Sequence, residues 1–232
     1  MWRIRWMSFA LVAIGIGGAS VARANPYWVD WEGDDYPENQ GWSHSWGNLH
    51  GSGGSGAIRT LSNGILTIDS RFDPGVYDFV QWHRPGAINP GPGEMFVVEW
   101  RLKVDEVDGS LDDPGMTVAG DGAERLAFTY THNALISGFE SGVRVPIVPD
   151  QFHTYRLSSS DMQTYELAID GQVVRLGTLW QGVSTSYVGW GDEASGFLGG
   201  SLHEWDYFRF GVVPEPSSLV CAALILVGRR LR

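Results

Sequence analysis

Apolar and polar residues alternate with a period of two along much of this chain. Phe96, Val98, Trp100, Leu102 and Val104 alternate with Val97, Glu99, Arg101 and Lys103. That pattern predicts a strand with one buried face. Shorter runs predict strands at 65–68, 76–82, 126–130 and 134–139. Tyr165, Leu167 and Ile169 alternate up to Asp170-Gly171, and Val173-Val174 follow. An Asp-Gly pair between apolar runs predicts a hairpin, because a type I′ turn needs positive φ at both central residues. Trp205, Tyr207 and Phe208 to Phe210 predict a last strand. Segments rich in Gly, Pro, Asn and Asp separate these runs at 51–56, 85–93 and 108–115, and no stretch keeps a helical period. Many short strands between turn signals predict an all-β antiparallel sandwich.

The two ends break the pattern. Arg3 and Arg5 precede an apolar run from Trp6 to Ile16, then small residues, then Ala22-Arg23-Ala24. This order is that of a secretory signal, cut by signal peptidase after residue 24. The apolar run predicts a short helix, too short to span a bilayer, which takes about 20 apolar residues. At the other end stand Val213-Pro214-Glu215-Pro216-Ser217-Ser218, an apolar run from Leu219 to Val227 that predicts a second short helix, and then Arg229, Arg230 and Arg232. The arginines favour the cytoplasmic side and would stop the chain in the membrane. Pro214 and Pro216 keep their segment extended. The expected organisation is a signal at 1–24, a sandwich at 25–212 and a tail at 213–232.

Charge then narrows the partners. Six of the 16 Lys and Arg lie in the end segments, as does one of the 27 Asp and Glu, leaving 10 basic and 26 acidic residues between them, a net of −16. Such a body repels nucleic acid and anionic lipid. The single cysteine, Cys221, lies in the tail, so no disulfide is expected in the body.

The tail resembles the PEP-CTERM sorting signal of Gram-negative bacteria, with Pro214, Glu215 and Pro216 as its motif. That resemblance implies recognition by an exosortase, a membrane cysteine transpeptidase. It also implies removal of the tail and delivery to the cell surface or an extracellular polysaccharide matrix. The apolar run is short even for that family. In the body, Phe152-His153-Thr154-Tyr155-Arg156-Leu157, the Ile169-Asp170-Gly171 turn, Gly200 and Trp205-Asp206-Tyr207-Phe208-Arg209-Phe210 are similar to the second half of concanavalin A-like and laminin-G-like jelly rolls. The resemblance implies two stacked antiparallel sheets, with carbohydrate bound on the concave sheet in many members.

Candidate chemistry follows from these resemblances. The laminarinase-like branch of the fold places its carboxylates on one strand as Glu-x-Asp-x-(x)-Glu. Here Glu204 and Asp206 stand in the first two places, while Phe208 and Arg209 stand where the last Glu belongs. Retaining glycosidases need two carboxyl groups about 5 Å apart. No Gly-x-Ser-x-Gly, His-Glu-x-x-His or phosphate-loop motif occurs. A structural calcium tying the first strand to the last would draw on Glu32 or Asp34 with Asp206, the alternative being solvated loop acids. Trp42, His44 and Trp46 are the candidates for an exposed sugar-stacking set, the alternative being a core role, and Trp100 is expected in the core. Three functions stay open: a non-catalytic carbohydrate-binding surface or matrix protein, a glycosidase with an atypical carboxylate pair, and a purely structural matrix component.

Overall fold

The computed structural model describes residues 27–48, 57–71, 78–85, 88–107, 115–120, 124–131, 134–137, 144–181, 187–192 and 201–215. The expected signal helix, the expected tail helix and the Gly51–Gly56 segment lie outside them. Among the described residues no helix is long and apolar enough to cross a membrane.

In chain order the strands are β1 (Tyr27–Trp31), β2 (Ser43–Asn48), β3 (Ile58–Ser62) and β4 (Ile65–Asp69). Then come β5 (Asp78–Arg84), β6 (Glu94–Val107), β7 (Gly115–Gly120) and β8 (Glu124–Thr131). They continue with β9 (Ala134–Ser137), β10 (Arg144–Pro146), β11 (His153–Ser159) and β12 (Thr164–Ile169). The last four are β13 (Gln172–Thr178), β14 (Trp180–Gln181), β15 (Val188–Asp192) and β16 (Ser201–Pro214). A 3-10 turn at Pro37–Gln40 lies between β1 and β2.

The strands form two antiparallel sheets. The first runs β13-β12-β11-β6-β16-β4-β3, with β1 also pairing β16. The second runs β10-β9-β8-β7-β15-β5-β2, with β14 pairing β8. At the centre of the first sheet, β6 and β16 pair from Ser201↔Val107 to Pro214↔Glu94. The Asp170-Gly171 turn has φ of 51° and 77°, as its sequence predicts. Asn63-Gly64 makes the same turn between β3 and β4, with φ of 54° and 81°.

The two sheets meet over an aromatic core. Trp31, Trp82, Trp100, Trp190, Trp205, Phe208 and Phe210 are buried. Trp190 is the hub: its ring centroid lies 4.9 Å from those of Trp31, Trp82 and Trp205, and it stacks on Phe208 at 5.3 Å. A bulge in β16 keeps this packing possible. Trp205 pairs Leu102 and Tyr207 pairs Arg101, so Asp206 is the extra residue. The bulge resets the alternation, and Trp205 and Phe208 both face inward while Asp206 and Tyr207 do not.

Two polar pins fix the periphery. Buried His153 places Nδ1 2.6 Å from Asp170 Oδ2 and Nε2 2.8 Å from the Val148 carbonyl, and the Thr154 amide donates to Asp170 Oδ1. This explains why a His before a Tyr-x-Leu strand is followed by an Asp-Gly turn in one motif: the turn's Asp returns to hold the His. Burial alone would raise the Asp170 carboxyl, but the hydrogen bonds with His153 and Thr154 hold it below its ordinary value. At the opposite edge Glu38 accepts hydrogen bonds from Arg59 (2.9 Å) on β3 and from the Trp82 indole (2.8 Å) on β5. That pair joins the 3-10 turn to one strand of each sheet.

Candidate functional site

On β5, Val80 and Trp82 are fully buried, which turns Gln81 and His83 to the outer face of the second sheet. On β15, Trp190 faces inward, which turns Gly189 and Gly191 outward. The register places Gly189 beside His83 and Gly191 beside Gln81, with Ser45 on the far side of Gln81. Gly189, without a side chain, thus leaves a lane next to a polar strand. At Gly191 the backbone itself requires glycine: φ is 136°, and a Cβ would sit 2.2 Å from the Val80 carbonyl oxygen. Tyr187 closes one end of the lane, its ring 5.5 Å from that of His83, its carbonyl accepting the Gly120 amide. The result is a trough of about 190 Å³ lined by Ser45, Gln81, Trp82, His83, Tyr187, Gly189 and Trp190. Among the described residues its lining supplies hydroxyl, amide and imidazole groups beside the Tyr187 ring, and no carboxylate.

The residues singled out in the sequence are distributed differently. Trp42 takes the core role rather than the exposed one, and this corrects the sugar-stacking expectation for it. It is 2 % exposed and meets Trp190, Phe208 and Phe210 edge-on. The cause is local: Gly41 ends the 3-10 turn in the left-handed region (φ 84°), and the Trp42 amide donates to the Pro37 carbonyl, which aims the indole between the sheets. His44 is half-buried on the same face, stacked on Trp82 at 5.6 Å, with Nε2 3.4 Å from Arg59 Nη1. Burial, and then the Arg59 charge, lower its pKa against the opposing pull of Glu38. Trp46 pairs Val80 across the ladder, and its side chain lies outside the described residues.

Glu204 and Asp206 share the outer face of the first sheet, not the trough. Lys103 bridges Glu204 (3.0 Å) to Asp105 (2.9 Å), and Arg101 holds Asp206. Each of the two carboxylates is thus committed to an ion pair with a cation of β6. The neighbouring Glu99 accepts hydrogen bonds from Arg209 Nε (3.1 Å), Arg156 (3.1 Å) and the Tyr207 hydroxyl (3.2 Å). Burial would raise the Glu99 carboxyl; Arg209 above all outweighs this and lowers it. The calcium set does not assemble either. Glu32 lies 3.6 Å from Arg209, Asp206 is on Arg101, and Asp34 is exposed. Among the described residues no three His, Cys, Asp or Glu gather where they could hold a metal ion, so these residues do not fit a calcium site. Of the tail, Pro214 ends β16 and Glu215 follows it; Pro216, Arg229, Arg230 and Arg232 lie outside the described residues.

No family model matches the chain, and no curated protein does. Solved structures do. Peanut lectin superposes with a TM-score of 0.55 at 14 % identity, over 82 % of this chain and 98 % of the lectin. A glycosyl hydrolase family protein from Mycobacterium fortuitum gives 0.54 at 15 % identity, over 80 % and 99 %. The β-glucanase of Bacillus licheniformis gives 0.52 at 11 % identity, over 79 % and 97 %. These likenesses concern the fold: the chain is an antiparallel β-sandwich of the jelly-roll type found in lectins and glycosyl hydrolases.

Proposed function

We propose that this is an exported cell-surface or extracellular-matrix protein whose sandwich binds carbohydrate without cleaving it. The observation that carries the binding reading is the trough over Gly189. A sugar ring has apolar faces and a rim of hydroxyls. Tyr187 offers a face to stack on, and Ser45, Gln81 and His83 offer hydrogen bonds to the rim. At about 190 Å³ the trough suits a single ring of a longer chain rather than an enclosed ligand. Binding is preferred to hydrolysis because the trough lining has no carboxylate among the described residues, while Glu204 and Asp206 are held by cations on the other sheet. The fold's occurrence in a lectin and in glycosyl hydrolases supports a carbohydrate ligand.

Export rests on the sequence of the two ends. The partners in processing would be signal peptidase, acting after Ala24, and an exosortase acting on Pro214-Glu215-Pro216, with extracellular polysaccharide as the ligand afterwards. A glycan array and a polysaccharide pull-down with the folded protein test the binding. The expected result is retention by at least one neutral polysaccharide, lost in His83→Ala and Tyr187→Ala at unchanged thermal stability. A folded sample retained by no polysaccharide overturns the binding reading. Mass spectrometry of the surface form tests the export reading, which expects a chain that starts at Asn25 and lacks Arg232.

A further inference from the structure

The two expected processing sites flank one rung of the first sheet. β1 begins at Tyr27, three residues after Ala24, and Tyr27 pairs with Val212, two residues before Pro214. Because β1 and β16 are antiparallel, the chain enters the sandwich beside the point where it leaves. β16 does not stop at the expected start of the tail. Val213 pairs Met95, Pro214 pairs Glu94, and the Glu215 amide donates to the Gly93 carbonyl at 2.9 Å. The turn that supplies this carbonyl is itself fixed. The Glu94 amide donates to the Gly91 carbonyl at 3.0 Å, and the Gly91 amide to Glu94 Oε2 at 2.9 Å. The first two residues of the Pro-Glu-Pro motif are therefore bound to the sheet, with no linker before them.

We propose that the sandwich withholds its own sorting motif: processing requires the last residues of β16 to peel away from β6. The inference rests on the reading of the tail as a sorting signal. An enzyme that grips an extended segment uses the backbone groups along its edges. Along Val213 to Glu215 one edge is occupied by β6 and the turn that leads into it. The rest of β16 cannot give way to help, because it lies at the centre of the sheet between β6 on one side and β1 and β4 on the other. Only the terminal rungs can open. Each backbone hydrogen bond that must open first slows capture about five-fold, the equivalent of about 1 kcal/mol. Sorting is then slow enough to follow folding, because the motif is held only once β6 and β16 have paired.

The test uses the full chain, with Cys221→Ser throughout, in a host that carries the processing enzyme, followed by pulse-chase and mass spectrometry. One variant inserts eight Gly and Ser residues between Val213 and Pro214, which frees the motif. A second carries Met95→Cys with Val213→Cys, a disulfide across the last full rung before the motif. The insertion is expected to speed loss of the tail at least five-fold. The disulfide is expected to slow it, with reductant restoring the rate. Equal rates in all three chains, or slower processing after the insertion, overturn the withholding and leave the sorting reading intact. A chain that keeps Arg232 in every variant sinks the sorting reading and this inference with it.

Discussion

Lowering the pH from 7 to 5 should cost this protein about 2 kcal/mol through one histidine. His203 is 1 % exposed, and its Nδ1 accepts a hydrogen bond from the Trp205 indole at 2.9 Å. That bond requires an unprotonated Nδ1, so the ring is neutral with its proton on Nε2, which lies 4.0 Å from Asp192 Oδ1. Burial pushes its pKa down from 6.5 to about 3, against a smaller upward pull from Asp69. In the unfolded chain the ring titrates near 6.5. Between those values the unfolded state binds more protons than the folded one, so stability falls as pH falls. At about 1.36 kcal/mol per pH unit below 6.5, the loss by pH 5 is about 2 kcal/mol. Unfolded carboxylates titrate near pH 4 and add little above 5. His44, also lowered, acts in the same direction. Urea denaturation at pH 7 and pH 5 measures the loss. His203→Asn keeps an acceptor for the Trp205 indole and removes the titration. It should be less stable at pH 7 and should lose most of the pH dependence. An unchanged pH dependence in that variant would refute the assignment.

Other expectations concern packing and backbone. Trp190→Ala removes the hub of the aromatic core and should cost about 3–5 kcal/mol by chemical denaturation; a loss below 1 would mean that the core repacks around it. Gly33→Ala should destabilise more than Gly64→Ala. Both have positive φ, but a Cβ on Gly33 would sit 1.9 Å from the Gly64 carbonyl oxygen, while a Cβ on Gly64 meets nothing within 4 Å. The φ penalty alone is about 1–2 kcal/mol, so equal melting temperatures would show that the contact relaxes freely. Asp170→Ala strands buried His153 and the Thr154 amide and should cost about 1–3 kcal/mol, read as a lower urea midpoint.

Much of the strand content was legible because a half-buried strand writes itself as alternation. The runs at 65–68, 96–104 and 165–169 all fall within strands, and Asp170-Gly171 makes the turn its chemistry demands. Asn63-Gly64 carried an equally strong turn signal, and with it the β3–β4 hairpin was there to be read. Residues 42–46 alternate as Trp-Ser-His-Ser-Trp, which is also a strand with a chosen inner face; local Gly and Ser made the aromatic set look exposed, and the core claimed Trp42 instead. Short strands such as β7 and β15 are rich in glycine, so they have too few side chains to show a period.

The site was less legible. Ser45, Gln81, His83, Tyr187 and Gly189 are ordinary residues scattered over more than half of the chain. They become a trough only because β2, β5 and β15 lie side by side, and contacts between strands far apart in sequence leave no local mark. The same limit explains Glu204 and Asp206. Their spacing on one strand put them on one face, but the cations that hold them come from β6. What the sequence determined by itself is what depends on near neighbours: the strand period, the turn residues, the order of charged, apolar and small segments at each end, and the acidic balance of the body. The tertiary structure alone decided which aromatics meet between the sheets, which residues line the trough, which carboxylates are paired with cations, and that Glu215 is tied to Gly93. Each of these depends on which strands become neighbours, and that is settled by the packing of the whole core.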